Sequence, residues 1–141
     1  MDAAEVIASL GLARHPEGGW YRQTWAAGPS PGGRPHATAI HFLLARGEVS
    51  QWHRIDAAEL WLWHAGAPLV LSTSPDADGP ARDAVLGPDL AEMKLQLHVP
   101  PHHWQAARPT GDWTLVSCLV TPGFTFDGFE LAPPGFDIAR N

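Results

Sequence analysis

The sequence predicts an all-β fold, a sandwich or barrel of short strands, preceded by one short helix. Three observations predict it. Glycine and proline number 14 each among 141 residues, and they punctuate a succession of short apolar segments, as expected of sheets joined by turns. Period-2 alternation is clean at Met93, Leu95, Leu97 and Val99, which interleave with Lys94, Gln96 and His98 and so suit a half-buried strand. Helical spacing appears near the start alone, at Val6, Ile7 and Leu10.

Taken in order, the helix spans Asp2 to Leu12, with Asp2 as its cap and Gly11 as its stop. A turn at Pro16 and Gly18-Gly19 follows, then a strand over Trp20–Trp25 and a loop, AGPSPGGRP. Strands are expected over His36–Leu44, Gln51–Arg54, Glu59–Ala65 and Leu69–Thr73. In the third of these, Glu59, Trp61 and Trp63 share one face and Leu60, Leu62 and His64 the other. A turn-rich excursion carries a short strand at Ala84–Leu86. The alternating strand from Met93 to Val99 stops at Pro100-Pro101, Trp113–Val120 forms another, and the last lie around Phe124 to Leu131 before a Pro-Gly tail.

The length suits a single domain over residues 1–141, with a core large enough to need no covalent staple. With 9 Lys+Arg against 15 Asp+Glu the net charge is −6, which offers no electrostatic footprint for nucleic acid. No apolar run approaches the roughly 20 residues that span a bilayer, and the acidic start MDAAEVIASLGL is unlike a signal peptide. A single cysteine, Cys118, sits in the apolar run TLVSCLV and reads as a buried, inert thiol in a reducing cytoplasm. The 7 Trp residues are read mainly as packing and partly as pocket lining.

The stretch Gly47–Gly66 reads G-x5-H-x-I-x3-E-x6-G, with His53, Ile55 and Glu59 at the marked positions. It resembles the first cupin motif, in which a second His stands where Ile55 is and the side chains usually hold a divalent metal. The second cupin motif, P-x-G-x2-H, aligns with Pro100-Pro101-His102-His103-Trp104-Gln105, so His102 takes the glycine position and Gln105 that of the last ligand. Read together, the blocks HPEGGWYRQTW, ATAIHFLL, SQWHRIDAAELWLWHAG, VPPHHWQAARP and WTLVSCLVTPGFTFDGFEL make the chain similar to the cupin-5 branch, whose biochemistry is largely unassigned. The resemblance runs from His15 to Leu131. It implies a double-stranded β-helix, or jelly roll, usually a homodimer, with a small-molecule pocket at the barrel mouth.

Two readings of function stand side by side. The resemblance to cupin sugar epimerases and isomerases implies an enzyme in which His53 is the general base and Tyr21 or Glu59 the acid, acting on a small sugar or polyol derivative. The other is a non-catalytic pocket that binds a small metabolite between Trp61, Trp63, Trp104 and Phe126. A metal-dependent version, with His53, Glu59 and Gln105 around a divalent ion, ranks behind both because Ile55 and Gln105 leave its ligand set incomplete. Arg22 is a candidate for a ligand phosphate or carboxylate, with a surface ion pair as its ordinary role. His102 and His103 read as turn residues, and His15, His36, His41, His64 and His98 as surface or structural.

Overall fold

The computed structural model describes residues 1–29 and 32–140; part of the expected loop over 27–35 lies outside them. Helix α1 (Ala3–Leu10) opens on a capping box, in which the Asp2 carboxylate accepts from the Glu5 amide at 2.8 Å and Glu5 accepts from the Asp2 amide. Gly11 ends it in the left-handed conformation. Its buried Val6 packs with Leu12 and Leu43 on the outside of a sheet.

Eleven strands follow: β1 (Ala13–Arg14), β2 (Trp20–Ala26), β3 (Thr38–Ala45), β4 (Ser50–Ile55), β5 (Ala58–Gly66), β6 (Leu69–Ser74), β7 (Arg82–Leu86), β8 (Gln96–Val99), β9 (Trp104–Pro109), β10 (Trp113–Thr121) and β11 (Phe129–Leu131). They form a six-stranded sheet, β1-β2-β3-β10-β5-β8, and a five-stranded sheet, β11-β4-β9-β6-β7, with every strand pairing antiparallel. This is the jelly roll that the resemblance implies. Its core lies between the inner faces, where Phe42, Trp61, Leu71, Leu86 and Val116 meet. In β10 alternation is complete: Thr114, Val116, Cys118 and Val120 are buried, while Leu115, Ser117 and Leu119 are half-buried on the outer face.

Three strands differ from expectation, one of them the two-residue β1, to which the pattern assigns no strand. β8 starts at Gln96 because Met93 to Leu95 are engaged elsewhere: Lys94 makes a parallel bridge to the end of β7, and the Leu95 carbonyl accepts from the Trp63 amide at 2.9 Å. Leu95 is consequently half exposed, and of the alternating apolar side chains Leu97 packs on the core and Val99 is buried in it. The pattern assigns no strand to Trp104–Pro109, yet it is β9, at the centre of its sheet. Both of its faces are covered. Gln105 and Ala107 are buried on the inner side, while Trp104 packs outward with Trp52, Ala81, Ala132 and Ile138 under the C-terminal tail. Alternation of polar with apolar residues is therefore missing from it.

At the turn into β9, His102 has φ +67°, the one non-glycine residue with positive φ among the described residues. It keeps the turn that a glycine would make, and its amide donates to the Ile55 carbonyl at 2.8 Å. A left-handed non-glycine residue costs about 1 kcal/mol. We predict that His102→Gly leaves the turn intact and raises stability by up to about 1 kcal/mol in urea denaturation; a clear loss would mean that the imidazole itself holds the turn.

Candidate functional site

The site begins with the turn His15-Pro16-Glu17-Gly18-Gly19. Its ends are closed by the His15 amide donating to Gly19 O and the Gly18 amide to His15 O, both at 3.0 Å. The Gln51 amide donates to the Glu17 carbonyl at 2.8 Å and so ties the turn to β4. The two glycines permit this contact. Both have positive φ, a Cβ on Gly18 would strike the Val49 carbonyl, and one on Gly19 would come within 2.7 Å of Leu44 Cδ2. With the turn pressed this close, the Glu17 side chain enters the barrel, where it accepts a short hydrogen bond from Ser50 Oγ and lies 3.2 Å from His53 Nδ1.

Backbone partners fix the tautomers of both histidines. His15 Nδ1 accepts from the Glu17 amide at 3.1 Å, and an amide can only donate, so the neutral ring carries its proton on Nε2. His53 Nδ1 lies 2.7 Å from the Gln51 carbonyl, which can only accept, so its proton is on Nδ1 and Nε2 keeps a free lone pair. Neither Nε2 has a partner among the described residues, and both rings line one cavity of about 470 Å³ at the barrel mouth. The cavity thus presents one imidazole N–H and one imidazole lone pair. Tyr21 packs edge-on to His15 with ring centroids 4.5 Å apart, and its hydroxyl, also without a partner among the described residues, belongs to the same cavity.

Glu59, on β5, also borders the cavity. Its Oε1 accepts from Gln105 Nε2 at 2.7 Å, and Gln105 Oε1 accepts from the Trp61 indole at 2.7 Å. Because an indole N–H can only donate, the Gln105 amide is oriented with its oxygen to Trp61 and its nitrogen to Glu59.

Burial sets the charges. It pushes the Glu17 carboxyl up to about 8 against the opposing bond from Ser50. Glu59 rises to about 7, again through burial, with His53 opposing and Glu17 reinforcing. Burial, aided by nearby His53, brings His15 down to about 4. His53 is lowered by burial as well, against the pull of Glu59 and the Gln51 carbonyl. Burial and the neighbouring carboxyls push the Cys118 thiol up, so it is inert as expected. At neutral pH the cavity floor holds neutral imidazoles and protonated Glu17.

Of the residues singled out from sequence, Tyr21, Arg22, His53, Glu59 and Phe126 border this cavity together. Trp61, Trp63, Trp104 and Gln105 do not. Trp61 is buried in the core beneath it, Trp63 packs on that core with its indole N–H on the Ala67 carbonyl, and Trp104 faces the opposite side of the five-stranded sheet against Phe136. Gln105 is fully buried, one residue behind the wall. His15, read from sequence as surface or structural, is a cavity residue, and Glu17 escaped notice because an acid between Pro16 and Gly18 reads as a solvated turn. The remaining signal was indirect: two consecutive glycines mark a close backbone approach.

The ligand set of His53, Glu59 and Gln105 does not fit a divalent ion. The Gln105 oxygen is committed to Trp61 and its nitrogen cannot ligate, and no group of three or more His, Cys, Asp or Glu among the described residues is placed to hold a metal. Ile55, at the position of the missing His, is buried with Ala57 and Val120 and gives the cavity an apolar wall.

The family described as Cupin superfamily (DUF985) matches residues 4–132. Among solved structures, protein SO0799 from Shewanella oneidensis superposes with a TM-score of 0.88 at 40% identity, covering 94% of this chain and 85% of that one. A hypothetical protein from Leishmania major gives 0.85 at 28% identity, covering 96% and 90%. Oxalate decarboxylase from Bacillus subtilis, an enzyme with Mn(II) centres, gives 0.64 at 13% identity, and 84% of this chain covers 29% of that longer one, a likeness of fold alone. No curated protein matches the chain. Among the described residues no helix is long and apolar enough to cross a membrane.

Nitrogen-15 NMR should find His15 as the Nε2–H and His53 as the Nδ1–H tautomer, both neutral at neutral pH, with His15 titrating at about 4. A His15 midpoint near the ordinary 6.5 would mean that the ring is not buried as described. Stability gives a second check. Glu17 keeps its proton to about 8 when folded and to about 4.5 when unfolded, so its contribution is complete below the lower value and is lost as pH rises through the higher. The two histidines, lowered in the fold, act oppositely but only below 6.5. Between about pH 7, where the Glu59 contribution ends, and about 8, wild-type unfolding free energy should fall, and Glu17→Gln should flatten the slope. An unaltered slope in that variant would show that Glu17 is ionised in the fold.

Proposed function

We propose, on the premise that this chain belongs to the Cupin superfamily (DUF985) family, that it is an acid–base enzyme acting on a small enolisable sugar or polyol derivative. The observation that carries the reading is the His53 ring, held through Nδ1 by the Gln51 carbonyl so that an unprotonated Nε2 is left to the cavity. In the proposed step Nε2 takes a proton from carbon beside a substrate carbonyl. The C–H electron pair becomes the C=C of an enediol, and the carbonyl oxygen gains a proton from the Tyr21 hydroxyl or Glu59. Return of the proton from His53 to the former carbonyl carbon, as the hydroxyl on the neighbouring carbon gives its proton to the deprotonated Tyr21 or Glu59, re-forms a carbonyl one carbon along and completes an isomerisation. The Gln51 carbonyl, which accepts from Nδ1, stabilises the imidazolium formed between the two transfers. Lowering of the His53 pKa keeps the base unprotonated in the resting enzyme.

The non-catalytic alternative drew on four aromatic side chains, and Phe126 is the one of them that borders the cavity. Proton chemistry draws on groups that do converge there.

The test is hydrogen exchange in deuterium oxide, followed by proton NMR over a panel of aldoses, ketoses, sugar acids and sugar phosphates. We expect loss of a carbon-bound proton signal in at least one compound, slowed about 100-fold or more by His53→Gln. Thermal stabilisation by a panel member without exchange would establish the binding protein instead, and a panel with neither response would remove the sugar and polyol class.

A further inference from the structure

Arg14, Arg34, Arg46, Arg54 and Arg140 each pair with a carboxylate. Arg22 has no carboxylate partner among the described residues, and it borders the cavity. Its guanidinium lies across the end of α1, with Nη1 3.4 Å from the Leu10 carbonyl and within 3.2 Å of where a Cβ on Gly11 would stand. A side chain at position 11 would therefore crowd it. One long bond leaves most of its five N–H donors unused. The cavity's carboxyls, Glu17 and Glu59, are buried and engaged with Ser50 and with Gln105, so neither neutralises the rim cation. Arg14, the other cation at this mouth, is already held by Glu48 at 2.6 Å and stacked on Trp20. A chain of net charge −6 thus carries one uncommitted positive group at the entrance to its cavity.

We propose that the ligand of this cavity is an organic anion, whose carboxylate or phosphate is held by Arg22 while its uncharged end reaches His15 and His53. The inference rests on the acid–base reading of the same cavity and narrows its substrate class. Phe126, 54% exposed and at the same mouth, supplies an apolar face for the body of the molecule. A cavity of about 470 Å³ suits a compact metabolite.

The experiment is titration of the whole protein, followed by amide and side-chain NMR, with benzoate, D-glucuronate and phenyl phosphate beside the neutral benzamide and D-glucose. Anions should bind about tenfold or more tightly than their neutral counterparts, shifting signals of Arg22, His15 and Phe126, as a charge-assisted contact requires. Arg22→Gln should abolish that preference and Arg22→Lys should keep most of it. The carboxylates against phenyl phosphate tell which head group is preferred. Equal binding of benzoate and benzamide, anion affinity untouched in Arg22→Gln, or no anion binding would overturn the proposal. So would shifts confined to the second cavity, of about 450 Å³, outside the five-stranded sheet near Arg108 and Arg140. His53→Gln separates the two ideas. Anion binding that survives in it while no proton exchange is found in wild type would sink the catalytic reading and leave the anion site standing.

Discussion

The hydrogen bond from the Gln51 amide to the Glu17 carbonyl is the constraint on which the rest of the site depends. It fastens an otherwise exposed turn to the strand that carries His53, and in doing so delivers a carboxyl group into the barrel. A buried carboxyl must be neutral or fully hydrogen-bonded. Ser50 meets that demand directly, while the adjacent His53 proton goes to the Gln51 carbonyl and its Nδ1 lies 3.2 Å from the Glu17 oxygen. One strand, β4, therefore supplies the turn's anchor Gln51, the Glu17 partner Ser50 and the cavity residue His53. A shift of the turn by one residue would separate all three.

From that point a second network runs deeper: Glu59 to Gln105 to Trp61, with the Cys118 thiol on Glu59 as well. Among the described residues no buried side-chain nitrogen or oxygen lacks a hydrogen-bond partner. In a low-dielectric interior such a network is rigid, because each member that moved would leave another unsatisfied. Rigidity here serves orientation. Among the described residues it leaves the two Nε2 atoms and the Tyr21 hydroxyl, whose residues border the cavity, without hydrogen-bond partners.

Much of this was legible in the chain. Alternation placed Glu59 and Trp61 on the inner face of β5, and motif spacing picked out His53 and Glu59 as neighbours in space. What escaped reading shares one physical cause. Gln105 and Trp104 lie on a strand covered on both sides, where period-2 contrast disappears, so nothing in the pattern says which of them faces inward. His15 and Glu17 lie in a turn, where there is no periodicity to read, and their burial comes from a tertiary contact with β4. Trp63 was drawn to the cavity by its alternation with Glu59 and Trp104 by residue type, but packing claimed both.

Ile55 and Gln105 make sense as a pair. Where the cupin motif has a histidine, Ile55 contributes apolar surface continuous with Ala57, Val120, Phe124 and Phe129. A cation beside such a wall would lose both a ligand and its solvation. Gln105 completes the change, since the indole of Trp61 takes the oxygen that could have ligated and turns a donor toward Glu59. A donor aimed at Glu59 repels a cation there and supports the carboxyl as a hydrogen-bonded group. Loss of two ligands therefore reads as replacement rather than decay: the positions that would hold an ion instead shape an apolar wall and orient a carboxyl. His53, its Nδ1 proton on the Gln51 carbonyl, keeps its Nε2 lone pair for whatever enters the cavity.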